Sequence, residues 1–138
     1  MSAKQALLDG LNEDLNLELE AVLRYLYHSA TATGLLGHEL RELLKEDLVG
    51  ELNHAVFLAD KIVALGGELR LQPAMPKKCK NAKEMLEENV AGERRVIANY
   101  SKRIKQAEEF GDKGLVIRLE DQLAEETDHA EELERLGR

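Results

Sequence analysis

Both prolines of this 138-residue chain, Pro73 and Pro76, lie in one short stretch between residues 66 and 81. Proline breaks helices because its ring fixes φ and its nitrogen has no hydrogen to donate. The segments on either side, about 3–65 and 82–136, contain no proline and are rich in Leu, Ala, Glu, Lys and Arg, which favour helix. This distribution predicts two long helical halves joined by one irregular segment.

Capping residues and glycines divide each half into two helices. Ser2 with Gln5, and Asn81 with Glu84, have the spacing of N-terminal caps. Glycine tolerates the left-handed conformation of a C-terminal cap, and we expect helices to be interrupted or to end at Gly34 and Gly37, at Gly66 and Gly67, and at Gly111 and Gly114. The predicted helices are about Ala3–Thr33, His38–Leu65, Ala82–Phe110 and Leu115–Leu136.

Apolar residues recur at alternating spacings of three and four within each predicted helix, so each helix carries one apolar stripe. Helices of about 22 to 30 residues with such stripes pack as a left-handed four-helix bundle. The two short turns make antiparallel helix pairs, and the stretch 66–81 is long enough to cross the length of the bundle. We therefore predict an all-α fold, with one domain over residues 1–138. It is an antiparallel four-helix bundle with one long crossover between helices two and three.

The second half of the chain repeats the first at a distance of 75 residues. Under this shift Leu44 coincides with Leu119 and Leu58 with Leu133, whereas surface positions mostly differ. Polar positions within the stripes also coincide. They are Glu18 with Glu93, Tyr25 with Tyr100, Glu51 with Glu126, and His54 with His129. Because there are only two copies, the repeat indicates an internally duplicated bundle with a pseudo-two-fold axis.

Each stripe carries one glutamate where an aliphatic residue is otherwise expected. Two of these glutamates begin a Glu-x-x-His motif, from Glu51 to His54 and from Glu126 to His129. Residues three apart share a helix face, so each motif presents one oxygen and one nitrogen ligand to the same point. Four carboxylates in a bundle core repel one another, and two divalent cations balance their charge. The residues predicted to bind this metal pair are Glu18, Glu51, His54, Glu93, Glu126 and His129.

A lone Glu-x-x-His motif has another interpretation, because this chain contains 27 acidic residues and such pairs are common on solvated helices. Two motifs on matched stripes, each opposite a stripe glutamate, favour a metal site instead. The ligand types suit iron or manganese, and zinc can also occupy such a site.

These residues resemble the bacterioferritin branch of the ferritin family. The similarity extends over nearly the whole chain and is strongest in Glu18-Leu-Glu-Ala-Val-Leu-Arg-Tyr25, Glu51-Leu-Asn-His54 and Glu126-Thr-Asp-His129. The resemblance implies a ferritin-like fold with two iron ions per subunit. It implies terminal ligands Glu18 and Glu93, bridging ligands Glu51 and Glu126, and one histidine for each metal ion, His54 and His129. It also implies a ferroxidase, an enzyme that oxidises Fe²⁺ with O₂ or H₂O₂ and passes ferric iron to a store inside a hollow shell.

Two departures from the bacterioferritin pattern bear on haem and on assembly. Bacterioferritins bind haem through a methionine just after the first bridging glutamate, and this position is Leu52 here, so haem is not expected there. The chain ends at Arg138, soon after the fourth predicted helix, without the short fifth helix of the larger ferritin shells. The expected assembly is a homo-oligomer, at least a dimer, with a dodecameric shell favoured.

Tyr25 is the candidate catalytic residue outside the ligand set. It lies two turns after Glu18 on the same face, where a tyrosine either hydrogen-bonds a ligand or donates an electron, or is simply a core aromatic. The resemblance favours Tyr25 over Tyr100 for such a role. Asp47 and Gln122 each precede a bridging glutamate by four residues and are candidate partners of the ligands.

His28 and Cys79 fall outside the metal pattern. His28 is expected to be structural or to lie at an interface, with an accessory ligand as the alternative. Cys79 is the only cysteine, so the chain has no internal disulfide, and we expect the neighbouring lysines to lower the pKa of its thiol.

Composition argues against several other classes of protein. The formal net charge of −8 repels nucleic acid and anionic lipid, and an aromatic content of 4% without tryptophan argues against a stacking platform for single strands. No apolar run is long enough for a membrane span or a secretory signal. We therefore expect a cytoplasmic protein whose partners are Fe²⁺, an oxidant and copies of itself, and not nucleic acid or a membrane.

Two other functions stay open at this point. One is a rubrerythrin-like peroxidase or a di-manganese catalase on the same scaffold, and the other is a purely structural bundle with a vestigial site. Rubrerythrin-type sites usually carry an extra carboxylate near the ligand of the third helix. Val96 stands three residues after Glu93, which argues against that branch.

Overall fold

Four α-helices make up most of residues 2–138, the residues that the computed structural model describes. They are α1 (Ala3–Thr31), α2 (Gly34–Ala64), α3 (Ala82–Phe110) and α4 (Lys113–Leu136). Short turns join α1 to α2 and α3 to α4, and the crossover, residues 65–81, joins α2 to α3. The predicted four-helix bundle with one long crossover is confirmed, and residues 2–138 contain no β-strand. No helix within this range is both long enough and apolar enough to cross a membrane.

Side-chain caps begin three of the helices. Ser2 Oγ accepts a hydrogen bond from the Gln5 amide at 3.0 Å, and Asn81 Oδ1 accepts one from the Glu84 amide at 3.0 Å. These two caps confirm the prediction. The side chain of Asp112 caps α4 in the same way. Such bonds satisfy backbone N–H groups that have no partner within the first turn of a helix.

The start of α2 differs from the prediction. The helix begins at Gly34 and not at His38, and the break between α1 and α2 falls at residues 32–33. Gly34 makes the turn with φ of +80°. Gly37 lies inside the first turn of α2, where a Cβ would come within 3.0 Å of the Ala32 backbone. Gly37 therefore allows close packing and does not interrupt the helix.

The other glycines divide between caps and helix. Gly66 has φ of +84° at the end of α2, and the next amide bonds back to the Ile62 carbonyl at 2.9 Å, which confirms the predicted left-handed cap. Gly111, with φ of +88°, ends α3. Gly114 lies within α4, which begins at Lys113, two residues before the predicted start.

Two apolar clusters fill the bundle on either side of its middle. One contains Leu15 of α1 and Leu119 of α4, and the other contains Leu44 of α2 and Leu133 of α4. In every helix the stripe glutamate falls between residues of the two clusters, as Glu126 does between the two leucines of α4. The apolar layers keep water from the middle of the bundle, so charges there interact in a medium of low dielectric constant.

Two asparagines of α1 hold the crossover. Asn12 Nδ2 donates to the Glu68 carbonyl at 3.0 Å, and Asn12 Oδ1 accepts from the Arg70 amide at 2.9 Å. Asn16, one turn later, donates to the Arg70 carbonyl at 2.7 Å and accepts from the Gln72 amide at 2.6 Å. Each side-chain amide thus replaces the backbone of a neighbouring strand, so the extended crossover satisfies its polar groups beside a helix.

Candidate metal centre

The six predicted metal ligands meet in the middle of the bundle. Glu18 comes from α1, Glu51 and His54 from α2, Glu93 from α3, and Glu126 and His129 from α4. Their ligand atoms form two groups, and within each group they all lie within 4.8 Å of one another. Subsite A is Glu18, Glu51, His54 and Glu126, and subsite B is Glu51, Glu93, Glu126 and His129. Two residues, Glu51 and Glu126, belong to both subsites, as bridging carboxylates between two metal ions do.

The four glutamates are buried with 0% exposed surface. In each of them Oε1 has a tyrosine or histidine partner, whereas Oε2 has no hydrogen-bond partner within the described residues. Native proteins leave few buried oxygens without a partner, because each one costs free energy. Four such oxygens in one place, next to two imidazoles, are a donor set for iron, manganese or zinc. The residues therefore fit a pair of divalent metal ions.

Both histidines turn Nδ1 towards the centre of the bundle. His54 Nδ1 lies 2.8 Å from Glu126 Oε1, and His129 Nδ1 lies 2.8 Å from Glu51 Oε1. Each histidine thus contacts the shared glutamate of the other Glu-x-x-His motif. The equality of the two contacts shows that the 75-residue repeat extends to the side-chain geometry of the centre.

A carboxylate lies on the outer side of each histidine. His54 Nε2 lies 2.5 Å from Glu125 Oε2, and His129 Nε2 lies 3.5 Å from Asp47 Oδ1. A carboxylate at this position keeps a proton on Nε2 and leaves Nδ1 available for a metal. The sequence marked Asp47 as a candidate partner, but it did not mark Glu125.

Crowding changes the protonation of the metal-free centre. Burial raises the pKa of Glu51 to about 7, and the charge of Glu18 acts in the same direction. Burial acts to lower the pKa of His54, but the nearby carboxylates, Glu18 first, outweigh it and raise that pKa to about 9. The pKa of His129 is also raised to about 9, because the contact with Glu51 outweighs burial. At neutral pH the metal-free centre holds protons that a divalent cation would displace.

The whole bundle matches a known family. A sequence model of the ferritin-like domain matches residues 8–137. This chain belongs to the ferritin-like domain family. The matched residues reach into all four helices, so the membership concerns the bundle and the six residues at its centre together.

Relatives of the ferritin-like chain include a bacterioferritin and a di-iron protein. The bacterioferritin of Brucella melitensis is 29% identical over 135 residues, which cover 97% of this chain and 84% of the relative. A crystal structure of ferritin-like, diiron-carboxylate proteins from Bacillus anthracis has a TM-score of 0.95 and 38% identity, over 100% of both chains. A dodecameric thioferritin, the bacterioferritin-related protein of Bacteroides fragilis, has a TM-score of 0.84 and 23% identity, over 96% of this chain and 84% of that one. The predicted ferritin-like fold is confirmed.

Two tyrosines hold the unshared glutamates of the ferritin-like centre. The Tyr25 hydroxyl donates to Glu93 Oε1, and the Tyr100 hydroxyl donates to Glu18 Oε1 at 2.9 Å. Gln122 Nε2 donates to the Tyr100 oxygen at 2.8 Å, so the proton of that hydroxyl is directed to Glu18. Both tyrosines have 0% exposed surface. Tyr100 and Tyr25 thus make equivalent contacts with the centre, whereas the resemblance favoured Tyr25 alone.

Sequence analysis missed a buried polar network beside Glu93. Arg24 Nε donates to Asn89 Oδ1 at 3.0 Å, and Asn89 Nδ2 lies 2.9 Å from His28 Nδ1. Arg24 Nη2 lies 4.0 Å from Glu93 Oε1 and has no hydrogen-bond partner among residues 2–138. The guanidinium fits because Gly92 has no Cβ, which would lie 2.4 Å from Nη2. A signal was present, since the repeat places an uncharged residue at the position equivalent to Arg24.

A buried ion pair occupies the equivalent place in the other half of the ferritin-like bundle. Arg103 donates to both carboxylate oxygens of Asp14, from Nε at 2.8 Å and from Nη2 at 3.2 Å. Under the 75-residue shift Asp14 corresponds to Asn89 and Arg103 to His28. The same two positions of the repeat are thus in contact in both halves. The contact is an ion pair in one half, between Asp14 and Arg103, and a hydrogen bond in the other, between Asn89 and His28. Neither contact was predicted from the sequence.

The prediction for Cys79 is wrong. Burial raises the pKa of its thiol, Glu88 and Glu84 act in the same direction, and Lys77 does not outweigh them. The neighbouring lysines do not decide the pKa, because carboxylates of α3 also face the thiol. Cys79 Sγ lies 3.9 Å from His28 Nε2. His28 is buried within the Asn89 network. Its predicted role, structural or as an accessory ligand, stays a prediction.

Proposed function

We propose that this ferritin-like chain is a ferroxidase that oxidises Fe²⁺ with O₂ or H₂O₂ and retains the ferric product, and that its iron binds at subsites A and B. The observation that carries the proposal is the sharing of Glu51 and Glu126 by two four-residue ligand groups. Sharing two carboxylates keeps two cations adjacent, so that both can give an electron to one oxidant molecule. Manganese and zinc suit the same donor set and are expected to compete with iron.

The electron balance of the proposed reaction requires two iron ions for each oxidant molecule. Each Fe²⁺ loses one electron and becomes Fe³⁺, and O₂ takes up both electrons and two protons to give H₂O₂. Where H₂O₂ is the oxidant, two electrons and two protons break its O–O bond, and two water molecules form. Low-dielectric surroundings make the ligand carboxylates effective at stabilising the higher charge of the ferric ions.

Position in the two subsites suggests the role of each residue. Carboxylates that belong to one subsite are proposed as terminal ligands, those that belong to both as bridging ligands, and each histidine as a ligand through Nδ1. The terminal ligands are Glu18 and Glu93, the bridging ligands are Glu51 and Glu126, and the imidazole ligands are His54 and His129. Four ionised carboxylates balance two divalent cations. We propose Tyr25 as a positioning residue, which fixes Glu93 through its hydroxyl.

Substitution of ligands tests the ferroxidase. Glu51→Ala removes an oxygen ligand from both subsites, and His54→Ala removes the nitrogen ligand of subsite A. Because changes to mere partners of metal ligands already cost ~10–100-fold, each variant is expected to lower the initial rate of aerobic Fe²⁺ oxidation at least tenfold. Glu120→Ala, an exposed carboxylate on α4, is the matched control and should oxidise Fe²⁺ at the wild-type rate. Wild-type rates in the ligand variants would exclude the centre as the site of oxidation.

Peroxide turnover separates the ferroxidase from a rubrerythrin-like peroxidase or a di-manganese catalase. A rubrerythrin-like peroxidase or a di-manganese catalase consumes H₂O₂ continuously without accumulating iron, whereas the ferroxidase retains ferric iron after each oxidation. Val96, one turn after Glu93, is buried in an apolar cluster, so no carboxylate lies at that position of α3. This argues against a rubrerythrin-type site. Elemental analysis that finds almost no metal after reconstitution would instead support a purely structural bundle.

We also propose that the chain assembles with copies of itself. An exposed apolar strip runs along one face of α2 and consists of Val49, Leu52, Val56 and Val63, which are 63%, 47%, 52% and 58% exposed. Several exposed apolar residues on one helix face are typical of protein interfaces. The Bacteroides fragilis neighbour is dodecameric, and we propose a dodecameric shell here too. Leu52→Lys should lower the mass measured by sedimentation, whereas Ile117→Lys, an exposed apolar residue on α4, should not.

A further inference from the structure

We propose that Arg24 makes the two subsites unequal, so that subsite A binds a divalent cation more tightly and fills before subsite B. This inference rests on the proposed function, since it concerns the same two metal ions. It follows from a comparison of the two halves of the bundle, which have matching residues at the centre but differ in one buried arginine beside an unshared glutamate.

The ligands of the two subsites have closely similar surroundings. Each unshared glutamate accepts a hydrogen bond from a buried tyrosine, and each histidine Nδ1 lies 2.8 Å from a shared glutamate. Each histidine Nε2 also faces one carboxylate, Glu125 beside subsite A and Asp47 beside subsite B. Glu125 is nearer to its histidine than Asp47 is, which strengthens its interaction with the imidazole. Glu125 is also more exposed, which weakens that interaction, so the two differences between the carboxylates act in opposite directions.

Arg24 breaks this equivalence at subsite B. The residue is only 7% exposed, and its Nη2 lies 4.0 Å from Glu93 Oε1 with no hydrogen-bond partner in the part of the chain that the structure describes. The bond from Nε to Asn89 and the close backbone of Gly92 hold the guanidinium in place. A buried guanidinium is expensive unless a carboxylate balances its charge, and its ion-pair partner here is Glu93, at 4.0 Å and without a hydrogen bond.

Among residues 2–138, subsite A has no equivalent of this cation. The residue that corresponds to Arg24 is Asn99, which is uncharged and donates to Glu13 at the surface. The buried cation of that half, Arg103, makes two hydrogen bonds to Asp14, and the pair carries no net charge. The repeat therefore places a net positive charge beside Glu93 but not beside Glu18.

A cation held by Glu93 must share that carboxylate with a guanidinium of the same sign. The repulsion between them is weakly screened, because both lie in the buried middle of the bundle. In subsite A, Glu18 accepts a hydrogen bond from the neutral hydroxyl of Tyr100 and lies 3.4 Å from Nδ1 of His54, a residue of the same subsite. Within residues 2–138 it has no arginine or lysine as an ion-pair partner. We therefore expect the first and second divalent ions to bind with dissociation constants that differ at least tenfold.

Co²⁺ titration of the metal-free protein tests the inference without any oxidation step. Calorimetry and the visible absorption of Co²⁺ should show two binding steps in the wild-type protein. Arg24→Asn, which copies the residue of the other half, should tighten the second step at least tenfold and leave the first step unchanged. Arg24→Lys retains the charge and should keep the two steps separate. Arg95→Gln, which removes an exposed positive charge from α3, is the matched control and should resemble wild type.

Histidine variants assign the steps independently of Arg24. His129→Ala should abolish the second step and keep the first, and His54→Ala should abolish the tight step. Two equal steps in the wild type, an unchanged second step in Arg24→Asn, or loss of the tight step in His129→Ala would each overturn the inference alone. Absence of any Co²⁺ binding by wild type, together with wild-type Fe²⁺ oxidation in Glu51→Ala, would instead remove the proposed function on which it rests.

Discussion

A carboxylate without exposed surface costs free energy unless its charge is balanced, and this bundle buries four of them side by side. The protein provides a partner for one oxygen of each and leaves the other oxygen free. The partners are Tyr100 for Glu18, His129 for Glu51, Tyr25 for Glu93 and His54 for Glu126. The partner of one oxygen fixes the orientation of each carboxylate, so the proposed cation pair would meet ligands that need little rearrangement.

Replacement of Tyr100 by phenylalanine tests this orientation at a single residue. Glu18 loses its donor, Gln122 loses its acceptor, and both stay buried. We therefore expect the free energy of unfolding of the metal-free protein, measured with urea, to fall by about 1–3 kcal/mol in Tyr100→Phe.

The matched control is Tyr27→Phe, which removes a hydroxyl from a tyrosine that is 39% exposed. Its stability should stay within about 0.5 kcal/mol of wild type. If the Tyr100→Phe variant lost no more stability than this control, the hydroxyl would not be what orients Glu18.

At the scale of elements, α1 contacts the crossover, the centre of the bundle and α3 through different side chains. One of its faces presents Asn12 and Asn16 to the crossover, a second presents Glu18 to the centre, and Arg24 reaches α3. Helical periodicity allows this, because residues three or four apart share a face and intermediate residues point elsewhere. Changes to the asparagine face should therefore loosen the crossover and leave the metal centre intact.

Asn12→Ala and Asn16→Ala test the attachment of the crossover. Each change removes an asparagine side chain that accepts one hydrogen bond from the crossover backbone and donates another to it. The amides of Arg70 and Gln72 should therefore exchange with solvent deuterium at least ~10-fold faster. This corresponds to a loss of about 1.4 kcal/mol of local stability. Hydrogen exchange measured by NMR follows these amides directly.

Asn53→Ala, an exposed asparagine on α2, is the control and should leave the exchange of both crossover amides unchanged. The stoichiometry of Co²⁺ binding should be the same in all three variants. Wild-type exchange in Asn12→Ala and Asn16→Ala would show that other contacts hold the crossover.

At the scale of the whole molecule, the duplicated bundle buries the negative charge of four carboxylates. Either protons or the proposed metal ions balance this charge. Residues from all four helices share this charge, and the two apolar clusters exclude water above and below it. The protonation of the centre is therefore linked to the stability of the entire fold. Metal binding and folding should respond to pH in opposite senses.

The metal-free protein should become less stable as pH rises from 7 to 9. The folded-state pKa values of His54 and His129, about 9, and of Glu51, about 7, all lie above the ordinary values of 6.5 and 4.5. A group with a raised folded-state pKa contributes stability that is complete below its unfolded pKa and is lost as pH rises through its folded pKa. Thermal unfolding in the presence of a chelator should show the melting temperature falling over this interval.

The stabilisation that metal binding adds should grow as pH rises, although the metal-free protein becomes less stable. Divalent ions displace the protons, so the increase in melting temperature caused by Co²⁺ should be larger at pH 9 than at pH 7. Glu51→Gln removes one of the crowded carboxylates, and its metal-free form should depend less on pH than wild type. A melting temperature of the metal-free wild type that rises over this interval would contradict the linkage.

Much of the fold, and which residues meet at the centre, could be predicted from sequence because the signals are local. Ser2 and Asn81 act within four residues of their own position, and the apolar stripes follow from the helical period. The repeat indicated which polar residues meet, because the two Glu-x-x-His motifs, from Glu51 to His54 and from Glu126 to His129, lie at equivalent positions of the two helix pairs. The start of α2 was misplaced because Gly37 contacts Ala32 across the turn, a packing requirement that looks like a helix breaker in sequence.

The sequence by itself thus determined the helices, their order and the six residues that face the centre, because each of these depends on spacing along one chain segment. Only the tertiary structure decided that Arg24 lies 4.0 Å from Glu93 without a hydrogen bond to it, that Arg103 pairs with Asp14, and that burial and nearby carboxylates raise the pKa of Cys79. Burial of a charge depends on residues far apart in sequence that the bundle brings together. A charged residue therefore shows its role only when the partners around it, or the lack of them, are fixed in space.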